Sequence, residues 1–290
     1  MTLKLFAPAK INLTLDVLGK RTDGYHELET IMQTISLGDT VELSEAFNIG
    51  ITCNQPEVPS GLDNLAYQAA ALISRYAGVK RGVHIHIHKR IPVAAGLAGG
   101  STDAAAVLRG LNKLWQLNYS YDILHNLAAT LGSDVAFCLR GGTALGKGRG
   151  EQLTPLTPIP TCGVVLVKPP FAVSTKDVYT RYNTNVKQPP MTETMIKALQ
   201  TANRRNVMEA IGNMLERTTL SLHPEISNLK AELLSAGAEA VLMSGSGPTI
   251  FGLTDSIKSA RLVAQRMPKE YIGVFVAETV DRIGEEGEMV

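Results

Sequence analysis

Pro92-Val93-Ala94-Ala95-Gly96-Leu97-Ala98-Gly99-Gly100-Ser101-Thr102-Asp103 is a run of small residues that ends in two hydroxyls and an acid. The stretch that follows, residues 104–111, reads as a helix. Small residues let a backbone approach a ligand closely, and a helix N-terminus offers unpaired N–H groups at its positive dipole end. The combination is either a phosphate cradle or a plain tight turn. Neither common phosphate template fits it. The run lacks the three-glycine spacing of a dinucleotide fingerprint. The nearest approach to a G-x-x-x-x-G-K-[ST] loop is residues 141–147, where Gly148 stands in place of the hydroxyl residue and no helix follows.

Five further patterns have residue types that could do chemistry. In Ala7-Pro8-Ala9-Lys10-Ile11-Asn12-Leu13, strand periodicity puts Lys10 and Asn12 on one face and Ile11 and Leu13 on the other. The polar face either lines a site or is simply solvated. Asp134 lies in Leu131-Gly132-Ser133-Asp134-Val135-Ala136-Phe137, between a helix stop and an apolar run. It is either a helix cap or a buried acid with partners and a task. Met243-Ser244-Gly245-Ser246-Gly247-Pro248-Thr249 reads as a tight hairpin whose N–H and hydroxyl groups would also suit an anion. Asp23-Gly24-Tyr25-His26 is a turn whose Tyr–His pair either stacks on a planar ring or packs at the surface. His84, His86 and His88 project from one strand face, but no acid or cysteine spacing supports them, so no zinc site is expected.

The elements that must position these groups follow from periodicity. Residues 3–17, 26–36, 41–43 and 83–88 read as strands. Asp63-Asn64 caps a helix with Leu65, Ala69, Leu72, Ile73 and Tyr76 on its inner face. Ser120 caps another, with Ile123, Leu124, Leu127 and Leu131 inward and Gly132 as its stop. Pro155, Pro158 and Pro160 mark a boundary, dividing the chain into residues 1–155 and 156–290. The second part reads as helices at 191–199, 207–215 and 224–235, a further helix from Ser256, and strands at 164–167, 240–243, 249–253 and 272–277. Helices and strands mix without strict alternation, which favours an α+β fold.

The 290 residues allow two modest domains or one large one. Basic and acidic residues balance, 28 against 27, so composition points to no nucleic-acid or membrane partner. No apolar run approaches the roughly 20 residues a membrane helix needs, and residues 1–15 lack a signal-peptide core. Cys53, Cys138 and Cys162 are scattered and odd in number, as suits reduced thiols in the cytoplasm.

The order of these motifs along the chain resembles the GHMP kinase superfamily, the kinases of galactose, homoserine, mevalonate and phosphomevalonate. The resemblance rests on Pro8-Ala9-Lys10-Ile11-Asn12-Leu13, on residues 92–103, and on Gly245-Ser246-Gly247-Pro248-Thr249. It is strongest to members whose acceptor carries a cytidine diphosphate. Arg21-Thr22-Asp23-Gly24-Tyr25-His26-Glu27, Asp63-Asn64-Leu65, Lys89-Arg90-Ile91-Pro92 and Gly132-Ser133-Asp134-Val135 carry that finer likeness. The usual G-L-G-G-G-S-S-D is altered at Ala98 and Thr102, and Ala136 stands where proline is common.

The resemblance implies a two-domain α+β fold with the active site between the domains. The first would be a ribosomal-protein-S5-like α/β domain and the second a ferredoxin-like α+β domain. It implies ATP, with phosphates along Pro92 to Thr102 and with Asn64, Lys89 and Arg90 near the nucleotide. It implies Mg²⁺ without a dedicated protein cage, Ser101 or Thr102 being the contact. Lys10 and Asp134 would be the catalytic pair acting on an acceptor hydroxyl, with Asn12 binding substrate. Tyr25 and His26 would clamp a cytosine, with Tyr179 as the opposite stacking face. The implied activity is phosphorylation of a cytidine diphosphate-linked alcohol on the way to isoprenoid precursors. The alternatives are a kinase of homoserine or phosphomevalonate and a non-catalytic nucleotide-binding protein. A cytoplasmic monomer or weak homodimer is expected.

Overall fold

The computed structural model describes residues 2–183, 189–271 and 273–283. It opens with a long hairpin, β1 (Thr2–Lys20) and β2 (His26–Ala46), followed by β3 (Gly50–Cys53), α1 (Leu65–Ala77) and β4 (Gly82–His88). Next come α2 (Gly99–Leu114), α3 (Tyr121–Leu131), α4 (Ser133–Arg140), β5 (Thr143–Gly148) and β6 (Gln152–Pro155). After β7 (Gly163–Val167) lie α5 (Thr175–Arg181), α6 (Thr192–Gln200), α7 (Arg204–Ala210) and the two-residue β8 (Gly212–Asn213). The remaining elements are α8 (Glu216–Leu222), α9 (Glu225–Ala236), β9 (Ala240–Met243), β10 (Ile250–Thr254), α10 (Ile257–Arg266) and β11 (Val274–Glu278).

These strands form two sheets. The first runs β3-β4-β2-β1-β8, with β5 also on β2 and β6 on β5; the second runs β11-β7-β10-β9. One face of the first sheet carries Leu43, Val83, Ile85 and Ile87 against α2 and α4, through Val107, Leu108 and Phe137. The other face sets Ile11, Leu13, Ile31 and Ile35 against Val164, Leu166 and Phe251 of the second sheet. The far side of the second sheet is covered by Leu229 and Leu233 of α9 and Ala260 and Val263 of α10. With both faces covered, β1 loses the alternation of a half-solvated strand, and residues 7–17 are all buried. Each fully buried Ile or Phe there contributes about 1.5–3 kcal/mol relative to exposure.

Several expectations need correcting. The two strands read at 26–36 and 41–43 are one, β2, which absorbs the chain between them through bulges opposite β1. The helix read at 104–111 already starts at Gly99, inside the small-residue run. The helix read at 207–215 stops at Ala210, because the chain turns extended to pair β8 with β1. Tyr76, placed inward by spacing, is exposed and meets Tyr119 edge-on. Ser120 stands at the N-cap of α3 without a side-chain bond, whereas Asn64 does cap α1. The last strand runs 274–278, and Ile272, read as its first residue, lies outside the described residues.

Candidate active site

Lys10 is the buried cation of β1. Its ammonium donates to Asn12 Oδ1 (2.9 Å), and Asn12 in turn donates to Thr30 Oγ1 (2.8 Å) on β2. The polar face of this strand is therefore not solvated: Lys10 and Asn12 are 5% and 3% exposed. Across from it, Asp134 Oδ2 lies 3.5 Å from Lys10 Nζ. Asp134 is neither a cap nor a buried acid. It sits in the first turn of α4, where a negative charge suits the helix dipole, and its side chain keeps 41% exposure. The pair thus joins a fixed cation to an acid that solvent and ligands can reach.

The two glycine-rich loops meet beside this pair. The Lys10 backbone N–H donates to the Leu97 carbonyl (3.2 Å), and Ser244 Oγ donates to the Gly96 carbonyl (3.1 Å). Gly96 has φ +74°, and a Cβ there would meet the Ser244 carbonyl at 2.6 Å, so only glycine fits. The 244–249 loop joins antiparallel β9 and β10, as a hairpin should. It is braced from below by Asn213 of β8, which donates to the carbonyls of Met243 (2.9 Å) and Gly245 (2.7 Å).

The first loop walls a cleft of about 320 Å³, lined by Val58, Pro59, Asp63, Asn64, Leu65, Lys89, residues 92–101 and Asp103. Gly99, Gly100 and Ser101 head α2, where N–H groups have no partner within the helix. Ala94 and Ala98 both adopt left-handed backbone, which curls the loop over the helix start. Thr102 departs from expectation: its N–H already bonds the Ala98 carbonyl (2.9 Å) and its side chain is fully buried away from the cleft. Asn64 lines the cleft while capping α1 through Ala66 N–H (2.8 Å).

Lys89 also lines the cleft, but its ammonium is engaged by two buried carboxylates, Asp39 Oδ2 and Asp103 Oδ2 (2.8 Å). Burial acts to lower the Lys89 pKa, and the facing Asp103 and Asp39 outweigh it, so the cation is held charged. Burial, helped by the neighbouring Asp39, pushes the Asp103 carboxyl pKa up, against the pull of Lys89. Arg90 presents its backbone N–H to Asp39 Oδ1, and its side chain is exposed. Asp39 was missed in the sequence. It is one of five acids along β2 and nothing local sets it apart, since its partners lie about 50 residues downstream.

Tyr25 and His26 leave the β1–β2 turn beside each other. His26 packs on Tyr179 of α5, ring centroids 5.2 Å apart and tilted 31°, and edge-on to Tyr182. Tyr25 is 57% exposed and lies under the Arg149 guanidinium, 5.0 Å from its ring centre. The ring facing Tyr179 is thus His26, not Tyr25, and Arg149 is a second neighbour the sequence did not suggest. Burial first, then the Lys20 charge, hold His26 below the ordinary histidine pKa. Burial and the Asp134 charge both raise the Tyr179 hydroxyl. On β3 and β4, Thr52 Oγ1 bonds His84 (3.3 Å) and His86 (2.7 Å), and His88 pairs with Glu42 (3.2 Å).

Family models match on both sides of this arrangement. "GHMP kinases N terminal domain" covers residues 64–142 and "GHMP kinases C terminal" covers residues 195–273. The 4-diphosphocytidyl-2-C-methyl-D-erythritol kinase of Bacillus cereus (strain AH187) is 52% identical over 255 residues, 87% of this chain and 88% of the relative. The chain belongs to the GHMP kinases. The same-named enzyme of Bacillus pumilus is 52% identical over 85% of this chain and 86% of its own length. A crystal structure of 4-(cytidine 5'-diphospho)-2C-methyl-D-erythritol kinase superposes with TM-score 0.82 at 36% identity, covering 96% of this chain and 99% of that one. A homoserine kinase from Cytophaga hutchinsonii superposes at TM-score 0.79 with 21% identity, covering 100% and 97%, and so shares the fold. Like other GHMP kinases, this chain is a small-molecule kinase with both terminal domains of the family. No helix among the described residues is long and apolar enough to cross a membrane.

Proposed function

We propose that this chain transfers the γ-phosphoryl group of ATP to the C2 hydroxyl of 4-diphosphocytidyl-2-C-methyl-D-erythritol, giving the 2-phosphate and ADP in the non-mevalonate route to isoprenoid precursors. One observation carries the reading. Lys10 and Asp134, 124 positions apart by number, stand 3.5 Å apart beside two glycine-rich loops that touch each other. The names of the Bacillus relatives supply the acceptor.

ATP lies with its phosphates on the loop from Pro92, Val93, Ala94 and Ala95 through Gly96, Leu97, Ala98, Gly99 and Gly100 to Ser101. The head of α2 meets their charge, with Asn64 and Lys89 on the cleft wall. Asp134 takes the proton of the acceptor hydroxyl, and Lys10 and Asn12 fix the acid and the hydroxyl. Phosphoryl transfer has a loose transition state, so alignment and charge neutralisation do most of the work. Among the described residues no three His, Cys, Asp or Glu side chains form a metal cage. An oxygen donor set of one cleft-lining hydroxyl, Ser101, fits a nucleotide-borne Mg²⁺ that keeps its waters. When bound, that ion would neutralise charge on the transferring group. His26, Tyr179 and Tyr25 bind the cytosine, His26 and Tyr179 as a packed pair and Tyr25 from the turn.

The same reading has the chain in the cytoplasm as a monomer or weak homodimer, with no nucleic-acid or membrane partner; three free cysteines suit a reducing compartment. We divide it at 155/156, where β6 ends and the second sheet is about to begin.

Asp134→Asn should lower acceptor-dependent ADP release by about 10²–10⁴-fold while leaving ATP binding by calorimetry near wild type. Wild-type turnover in that variant would remove Asp134 as the base. Lys10→Ala should lower kcat; a change confined to KM would make Lys10 a binding residue only.

A further inference from the structure

The Lys89 cluster does work that the roles above leave out. Lys89 follows directly on β4, and Asn54 Oδ1 accepts its backbone N–H (2.7 Å). Asp39, on β2, spends one oxygen on the Lys89 ammonium and the other on the N–H groups of Arg90 and Ile91 (2.8 Å). Asp103, in α2, takes the opposite side of the same ammonium (2.8 Å). All three side chains are almost fully buried: Asp39 0%, Asp103 2% and Lys89 7% exposed.

The ammonium is therefore a rivet through three elements. Its head lies directly under the first residue of α2: a Cβ on Gly99 would sit 3.0 Å from Lys89 Nζ and 3.2 Å from Ile91 Cγ2. Gly99 is also the first of the N–H groups that face the cleft. A lysine held by two carboxylates has little left to offer a phosphate, since its strongest donors already point at anions. What it can do is fix the height and tilt of the helix start. Phosphate binding by N–H groups depends on that placement, because a shift of about 1 Å in a positioning group costs large factors.

We propose that Asp39 and Asp103 are positioning residues of the nucleotide cradle, holding the Lys89 ammonium against Gly99 so that the first N–H groups of α2 meet the phosphates of ATP. The proposal rests on the reading of the cleft as the ATP site. Lys89 acts beneath the cradle rather than as a phosphate ligand.

Two variants separate these possibilities. In Asp39→Asn the Oδ1 atom can still serve the Arg90 and Ile91 N–H groups, and an amide NH₂ then faces the ammonium, donor against donor. Asp103→Ala releases α2 from the ammonium while keeping a residue that favours helix. ATP affinity is measured by calorimetry on the full chain without acceptor, alongside steady-state kinetics, with circular dichroism and thermal melting as the check on folding. Both variants should weaken ATP binding at least about tenfold and raise the ATP KM in step, with a smaller fall in kcat at saturating nucleotide. A merely structural role would lower the melting temperature and the active fraction without moving KM. ATP affinity within twofold of wild type in the folded variants overturns the proposal. Tighter binding also overturns it, since the cradle would then hold ATP without the two carboxylates that fix the lysine. If Asp39→Asn does not fold, Asp103→Ala decides alone. Because the readout is ATP affinity, failure of the acceptor assignment leaves the result interpretable, and absence of ATP binding by the wild type would instead sink the reading of the cleft.

Discussion

At the scale of residues, the site pairs buried, held groups with reachable ones. Lys10 is buried and anchored by Asn12, whereas Asp134 stays accessible. Such a division suits a kinase, which must keep its charge stabiliser in place while its base meets an incoming hydroxyl. His26 adds a pH dependence. Burial and Lys20 hold it below the ordinary histidine pKa, so at neutral pH it packs on Tyr179 uncharged, with one donor and one acceptor nitrogen. Once the pH falls through that lowered value, protonation removes the acceptor and adds charge. The acceptor KM should therefore rise as the pH is lowered from neutral, and His26→Gln should flatten that part of the acceptor profile. An acceptor KM independent of pH would show that the His26 ring nitrogen does not meet the substrate. Residue types were legible in the sequence because Lys10, Asp134 and the glycine runs are chemically distinctive. Their partners were not. Asp39 meets residues 89–91, and Tyr25 meets Arg149, through pairings that only the folded register creates.

At the scale of elements, the loop and the start of α2 form one unit. Two consecutive glycines argue against helix on propensity, so the helix start is legible only from the cradle it builds. The same holds for α4, where Gly132 does end α3 but also starts the next helix. The loop carries strain at Ala98, whose φ of +58° costs an L-residue about 1 kcal/mol or more, while glycine would lose somewhat more freedom on folding. Ala98→Gly should therefore raise stability by about 0.5–1 kcal/mol in a thermal or urea melt. Gly96→Ala should do the opposite, by more than about 1 kcal/mol, because its Cβ would strike the Ser244 carbonyl. Stabilisation by Gly96→Ala would mean the two loops do not touch in solution.

At the scale of the molecule, the proposed site belongs to neither half alone. The first sheet supplies Lys10 and Asn12, its helices supply Asp134 and the cradle, and the second half supplies the 244–249 loop and Tyr179. Beyond the site the halves are tied by β8 on β1, by the Ile35–Thr279 bridge and by Gln33 bonding the Val280 carbonyl (2.8 Å). The α+β class was legible from the order of the elements. The return of residues 212–213 to the first sheet was not, since a two-residue strand leaves no periodicity. Fold alone does not choose the acceptor, because homoserine and mevalonate kinases share it. The central claim concerns that choice. The direct measurement is ATP-dependent ADP release by the purified chain with 4-diphosphocytidyl-2-C-methyl-D-erythritol, homoserine and phosphomevalonate as separate acceptors. The account predicts kcat/KM for the cytidyl acceptor at least about 10³-fold above the other two. Equal or greater activity on homoserine or phosphomevalonate would contradict it.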